Sequence, residues 1–187
     1  MARREQPSFG LPRVGGELRP WRRGDEGVLV EAAQDAGIQR WNRPGREVTA
    51  ADAAARIERW RERWASEDAA VWAVLWAGGE RPVGLIGWGD IDLVGGSAEV
   101  LYWLLPAGRG SGLVGEALVA VSRWAVEELG LQRLRLTHSV ENPASCRVAE
   151  RAGFAFEGTM RSALLHEDGW HDEHLHARVR GDAWPGD

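Results

Sequence analysis

The sequence predicts an α/β (α+β) domain, a mixed sheet flanked by helices. Three observations point there. Apolar stripes at helical spacing lie before and after a run of short alternating segments. Three of those segments are joined by glycine turns short enough to force an antiparallel meander. Beyond the meander, strand and helix signals alternate.

Each element has a local reason. Glu17 to Trp21 reads as a first strand, and Asp25 to Ala36 as a helix stopped by Gly37. Thr49 and Asp52 have the spacing of a capping box. The helix behind them carries Ala53, Ile57, Trp60 and Trp64 on one stripe and ends near Ser66. Val71 to Ala77, Pro82 to Ile91 and Ala98 to Leu105 are the meander strands, separated by Gly78-Gly79-Glu80 and Gly95-Gly96. A helix from about Ser111 to Leu129 turns Val114, Leu118, Val121, Ala125 and Leu129 inward, and Gly130 ends it. Gln132 to His138 is a strand. Asn142 caps a short helix with Pro143 at its first position, and Gly153 closes it. Phe154 to Arg161 and Asp172 to Val179 are the last strands, with Asp168-Gly169 marking a turn between them.

The 187 residues suit one domain with enough surface to bury for a core that needs no covalent staple. Residues 1–16, rich in Pro and Gly, read as a flexible N-terminal tail; 17–180 form the domain; 181–187 form a C-terminal tail. The single cysteine, Cys146, excludes an internal disulfide framework. A net charge of -5 argues against a nucleic-acid partner, which requires a basic footprint. No apolar run is long enough for a membrane span and the start lacks a secretory h-region, so a cytoplasmic location is expected. Of the 23 basic residues none is lysine, which excludes a P-loop lysine and Schiff-base chemistry.

The most informative stretch is Pro106-Ala-Gly-Arg-Gly-Ser-Gly-Leu-Val-Gly-Glu116. Gly108, Gly110 and Gly112 leave backbone N–H groups bare at the start of a helix, which is an arrangement for phosphate. Arg109 adds a formal positive charge. Gly110-x-Gly112-x-x-Gly115 also fits the dinucleotide fingerprint, but it follows a meander rather than opening a parallel βαβ unit.

Arg109-x-x-Gly112 resembles the acetyl-CoA signature of the GNAT N-acetyltransferases, with Val114 departing from its last small position. Glu99-Val-Leu-Tyr-Trp-Leu-Leu-Pro106 resembles that family's strand before the loop. Asn142-Pro-Ala-Ser-Cys-Arg-Val-Ala-Glu-Arg-Ala-Gly-Phe154 resembles its N-x-x-S-x-x-V-A-x-x-x-G-F segment. Asp35, Trp41 and the closing Asp168-Gly-x-x-Asp172 are similar to the RimJ/RimL-type branch. The likeness covers about Leu18 to Val179.

It implies a single GNAT domain with a mostly antiparallel sheet and a splayed strand pair that forms the CoA cleft. It implies direct transfer of acetyl from acetyl-CoA to a primary amine, on a protein N-terminus or a small molecule. The cosubstrate would be held by Trp103, Leu104 and Leu105, by Arg109, Gly110, Ser111, Gly112, Leu113 and Val114, and by Asn142 and Ser145. Asp35, Trp41 and Glu99 would meet the acceptor. Ser145 matches the family serine near the sulfur. The tyrosine that the family often places seven residues after the Asn is here Ala149. For the base, Glu99 ranks above Glu141 and His138. The branch's carboxylate about ten residues after Gly-Phe is missing from Ser162-Ala-Leu-Leu165. The group of His166, His171, His174 and His176 with Asp168 and Asp172 reads as closing-strand hairpin rather than metal ligands, so no metal is expected. A monomer or homodimer is expected. The rival readings are a non-catalytic CoA- or nucleotide-binding domain and an NAD-binding protein.

Overall fold

The computed structural model describes residues 5–42 and 48–186. Among them are eight strands in one sheet: β1 (Phe9–Leu11), β2 (Gly16–Pro20), β3 (Ala70–Trp76), β4 (Gly84–Asp92), β5 (Ser97–Leu104), β6 (Arg133–Ser139), β7 (Ala155–His166) and β8 (Gly169–Val179). The helices are α1 (Glu26–Gln34), α2 (Ala36–Asn42), α3 (Ala50–Ala65), α4 (Leu113–Glu127) and α5 (Pro143–Arg151). The sheet order is β1-β2-β3-β4-β5-β6-β8-β7, antiparallel everywhere except between β5 and β6.

Side-chain alternation divides the interior in two. Ala70, Trp72 and Val74 of β3 face α4, in a core with Leu118, Val121, Leu134 and Leu136. Val71, Ala73 and Leu75 of the same strand face α1 and α3, in a second core with Leu29, Ala53 and Ile57. By the same parity His138 lies on the α4–α5 face, with Leu134 and Leu136, while Thr137 and Ser139 lie on the α1–α3 face.

Local signals were realised where they were strongest. Thr49 and Asp52 form the reciprocal capping box, and Asn142 caps α5 through Oδ1, which accepts from Ser145 N at 3.2 Å. Gly130 and Gly153 end their segments with φ of 76° and 78°. Two expectations differ. Phe9–Leu11, read as tail, pairs with β2 because Phe9 packs edge-on to Trp72 and the Trp72 indole N–H donates to Pro7 O at 2.7 Å. The single helix expected over Asp25–Ala36 is two. Asp35 is extended, and its carboxylate accepts from Ile38 N at 2.8 Å, starting α2 across Gly37. At the other end Trp184 lies over Arg178, 3.6 Å from guanidinium carbon to ring centre, so the described part of the expected tail, residues 181–186, packs on the domain without regular structure.

Candidate active site

The expected splay is a matter of register. β5 and β6 pair only at Ser97–Arg133, Ala98–Leu134 and Glu99–Arg135, and then diverge. The opening is a cleft of 580 Å³ between Val100–Leu104 on one strand and Thr137–Ser139 on the other. The first turns of α5 and residues Gly37, Ile38, Trp41 and Asn42 complete its walls. A second hollow of 790 Å³ lies under the glycine loop, between α4, α5 and the N-terminal hairpin. The two share Leu104, Gly110, Val114, Ala144 and Val148, so one channel runs from the cleft beneath the loop.

The loop has the conformation that its glycines permit. Gly110 and Gly112 sit at φ of 71° and 83°, and Gly112 starts α4 without any side-chain cap. Among the described residues the N–H groups of Gly110, Gly112, Val114 and Gly115 donate to no protein acceptor. They are free for an anion at a helix N-terminus. Arg147 and Arg151, one turn apart on α5, add two cations to the second hollow. The sequence reading did not single them out, though their i, i+4 spacing beside the loop was visible.

Several expected ligand contacts are corrected. Arg109 turns away from the loop amides: its Nε donates to Leu104 O at 2.9 Å and its Nη2 to Asp35 Oδ1 at 2.5 Å. Burial alone would raise the Asp35 carboxyl, but the bonds from Arg109 and the Ile38 amide hold it below the usual range. Asp35 is therefore a helix cap and clamp and does not line the cleft. Leu105 and Leu113 are fully buried core residues. The Leu105 N–H is spent on Val83 O at 2.8 Å, so by strand alternation the backbone of Trp103 also turns toward β4. The free edge belongs to Tyr102 and Leu104. Trp103 nonetheless lines the cleft, as do Trp41, Leu104, Arg109, Gly110, Val114, Asn142 and Ser145. Ser111 is engaged within the loop, its hydroxyl donating to Gly108 O.

The ranked bases are also rearranged. Glu99 is clamped at the fork: Arg135 Nε and Thr137 Oγ1 each donate to it at 2.9 Å, and it does not line the cleft. Glu141 is half-exposed and paired with Arg40 at 3.1 Å. His138 lines the cleft from the α5 side. Burial pushes its imidazole below the ordinary value, and its Nδ1–H donates to Ser139 O at 2.8 Å.

On the opposite face stands a constellation that no short motif announced. Asp168 Oδ1 accepts from His171 Nε2 at 2.8 Å. That bond leaves His171 Nδ1 as the lone-pair nitrogen, and the Ser139 hydroxyl donates to it, also at 2.8 Å. Ser139 lines the cleft, and Oγ further accepts from Glu141 N at 3.1 Å. Asp168 is 54% exposed, and its carboxyl is held low by its own backbone amide, then by His171 and Arg40. The chain Ser139–His171–Asp168 thus links the cleft wall to solvent. Thirty-two positions separate Ser139 from His171, which is why the sequence did not show it.

Across the cleft the Tyr102 hydroxyl is buried beside Ser145 without closing a hydrogen bond of normal geometry. Burial pushes it up to about 12, so it keeps its proton at neutral pH. An orphaned donor facing this opening is suited to a ligand that brings its own acceptor.

Residues 17–155 match the family described as Acetyltransferase (GNAT) domain. The ribosomal-protein-serine acetyltransferase of Escherichia coli (strain K12) is 33% identical over 97 residues, which cover 52% of this chain and 54% of that protein. The chain thus matches about half of that relative's length. YdaF of Bacillus subtilis (strain 168), provisionally named a ribosomal N-acetyltransferase, is 30% identical over 70% of both proteins. The structure of Mycobacterium smegmatis RimJ in complex with CoA-disulfide superposes with a TM-score of 0.80 at 22% identity, covering 89% of this chain and 83% of that one.

Proposed function

Because the chain belongs to the GNAT acetyltransferase domain family, we propose that it transfers acetyl from acetyl-CoA to a primary amine, with a protein N-terminal α-amine as the preferred acceptor. The observation that carries this reading is the fork between β5 and β6, which opens a channel passing under the unsatisfied amides of the glycine loop.

When bound, acetyl-CoA supplies the acyl group as a thioester whose thiolate is a good leaving group. The amides of Gly110, Gly112, Val114 and Gly115 hold its pyrophosphate. Arg147 and Arg151 neutralise phosphate in the second hollow. Tyr102 Oη and Ser145 Oγ keep protons at the sulfur end, where charge develops.

The amine enters from the α2 side, past Trp41. It delivers its proton to Ser139 Oγ while Ser139 passes its own to His171 Nδ1. The imidazolium then stands beside ionised Asp168, from which the proton reaches solvent. A relay of this kind matches an α-amine, whose pKa of about 8 is near neutrality. It suits a lysine-like amine of about 10.4 poorly.

The alternatives give different results in one assay. Thermal stability measured with acetyl-CoA, CoA and NADH in parallel should rise by about 5–10 °C with the first two at 100 times their dissociation constants, and not with NADH. A short peptide with a free N-terminus should then release free thiol from acetyl-CoA, and the same peptide N-acetylated should not. Stabilisation by CoA without thiol release from any amine would return the chain to a non-catalytic binding domain; stabilisation by NADH alone would overturn the loop assignment.

The loop itself supplies a further prediction. Gly112→Val forces a branched side chain into φ of 83° with its Cβ 3.4 Å from Val14 Cγ1. It should cost about 1–3 kcal/mol of stability. CoA affinity by calorimetry should fall at least about tenfold as the amide cradle deforms.

A further inference from the structure

The four side chains His138, Cys146, His174 and His176 converge between the sheet and α5, and nothing in the transfer chemistry above uses them together. His138 comes from β6, His174 and His176 from one face of β8, and Cys146 from α5. One ligating atom from each lies within 4.8 Å of every other. His138 Nε2 and His176 Nε2 are 3.3 Å apart, and Cys146 Sγ is 3.9 Å from His176 Nε2. A tetrahedral zinc ion with ordinary Zn–N and Zn–S bonds has N···N edges of about 3.4 Å and N···S edges of about 3.6 Å.

Proton placement points the same way. His138 Nδ1 donates to the Ser139 carbonyl, so its Nε2 carries a lone pair aimed at His176. His176 is fully buried, and its Nδ1 has no partner; the Phe154 backbone carbonyl beside the ring closes no hydrogen bond of normal geometry. If His176 carries its proton on Nε2, a buried Nδ1 lone pair is left unsatisfied. If it carries the proton on Nδ1, two lone pairs face each other at 3.3 Å. A cation between the two Nε2 atoms resolves the second arrangement. His174 Nδ1 is a further buried nitrogen without a partner.

We propose that His138, His174, His176 and Cys146 form a tetrahedral site for a borderline-soft divalent cation, zinc in the first place, that pins α5 to β6 and β8 beside the open end of the fork. Binding replaces the thiol S–H bond by a metal–thiolate bond. The released proton leaves through Glu150, whose Oε1 lies 3.6 Å from Sγ. No redox partner is needed. The site goes against the expectation of no metal, though His174 and His176 do share one strand face as the sequence predicts, and the neighbouring His166 and His171 lie on the other face of the sheet. His166 and His171 stack with each other at 4.1 Å on the α2 side.

The test uses the full chain, purified without an affinity tag that binds metal and stripped with chelator. Cobalt(II) titration should saturate at one equivalent, with a thiolate-to-cobalt charge-transfer band and the strong visible bands of tetrahedral cobalt. Zinc(II) should displace it and bleach both. Cys146→Ser should abolish the charge-transfer band, and His174→Ala should weaken cobalt binding more than about tenfold. Both positions are partly exposed, and circular dichroism checks that each variant is folded. Absence of saturable cobalt binding to the parent chain, or a Cys146→Ser spectrum identical to the parent's, overturns the site. Neither readout involves acetyl-CoA, so this inference and the transferase reading fail separately.

Discussion

Ser139→Ala is expected to lower kcat with an α-amine acceptor by about 10²-fold, the smaller end of what a positioned proton acceptor contributes. CoA affinity should be unchanged, because Ser139 faces α2 rather than the loop. His171→Gln should cost a similar factor, and the double variant little more than either, because the two act as one path. The pH profile separates a proton path from a packing role. The relay removes a proton that the amine itself loses above a pKa of about 8. The deficit of Ser139→Ala should therefore narrow as pH rises through that value. A deficit of constant size across pH 7 to about 9.5 would mean that Ser139 only shapes the cleft.

Trp72→Ala carries the largest expected stability loss, about 3–5 kcal/mol, or roughly 10 °C in melting temperature for a chain of this size. Trp72 is fully buried and is the common neighbour of three rings: Phe9 from β1, Trp64 from α3 and Trp124 from α4, at centroid distances of 5.6, 6.4 and 5.3 Å. Its indole N–H is also what ties Pro7 down. Proteolysis should reveal the difference in kind: Trp72→Ala should expose cleavage around residues 9–11 at temperatures where the parent resists. Trp72→Phe should retain most of the ring packing and lose the bond to Pro7. If the alanine variant melts within about 2 °C of the parent, the N-terminal strand is not anchored by this residue.

The parts of the fold that could be read in the sequence are those fixed within a few residues. Thr49 and Asp52, Asn142 and Pro143, Gly130 and Gly153 each satisfy helix ends locally, and all stand where the sequence places them. The failures share a cause. Phe9–Leu11 is too short to carry a strand pattern and is held by Trp72, more than sixty positions away. Asp35 breaks a helix in two because its carboxylate is engaged by Ile38 and by Arg109, and the second of these lies seventy-four positions on. The glycine loop was legible since its φ values demand glycine; the direction of the Arg109 side chain was not. Glu99 matched a motif, yet its carboxylate is consumed by Arg135 and Thr137 one strand over. Ser139, His171 and Asp168 come together only through the antiparallel register of β6 and β8.

The three-residue pairing between β5 and β6 has a consequence outside the reaction. Beyond Glu99 the two strands have no ladder between them, and the Tyr102 edge groups and the Leu104 N–H are left without a strand partner, Leu104 O being held by Arg109 Nε. An occupant that hydrogen-bonds along this edge acts as a short guest strand, joining β1–β5 to the β6–β8–β7 half of the sheet. Local opening at this seam is then suppressed in proportion to occupancy. Amide exchange at Tyr102 and Leu104 should accordingly slow as the thioester is added. The survival of the protein against cellular proteases would track the supply of its own donor, falling when acyl groups are scarce.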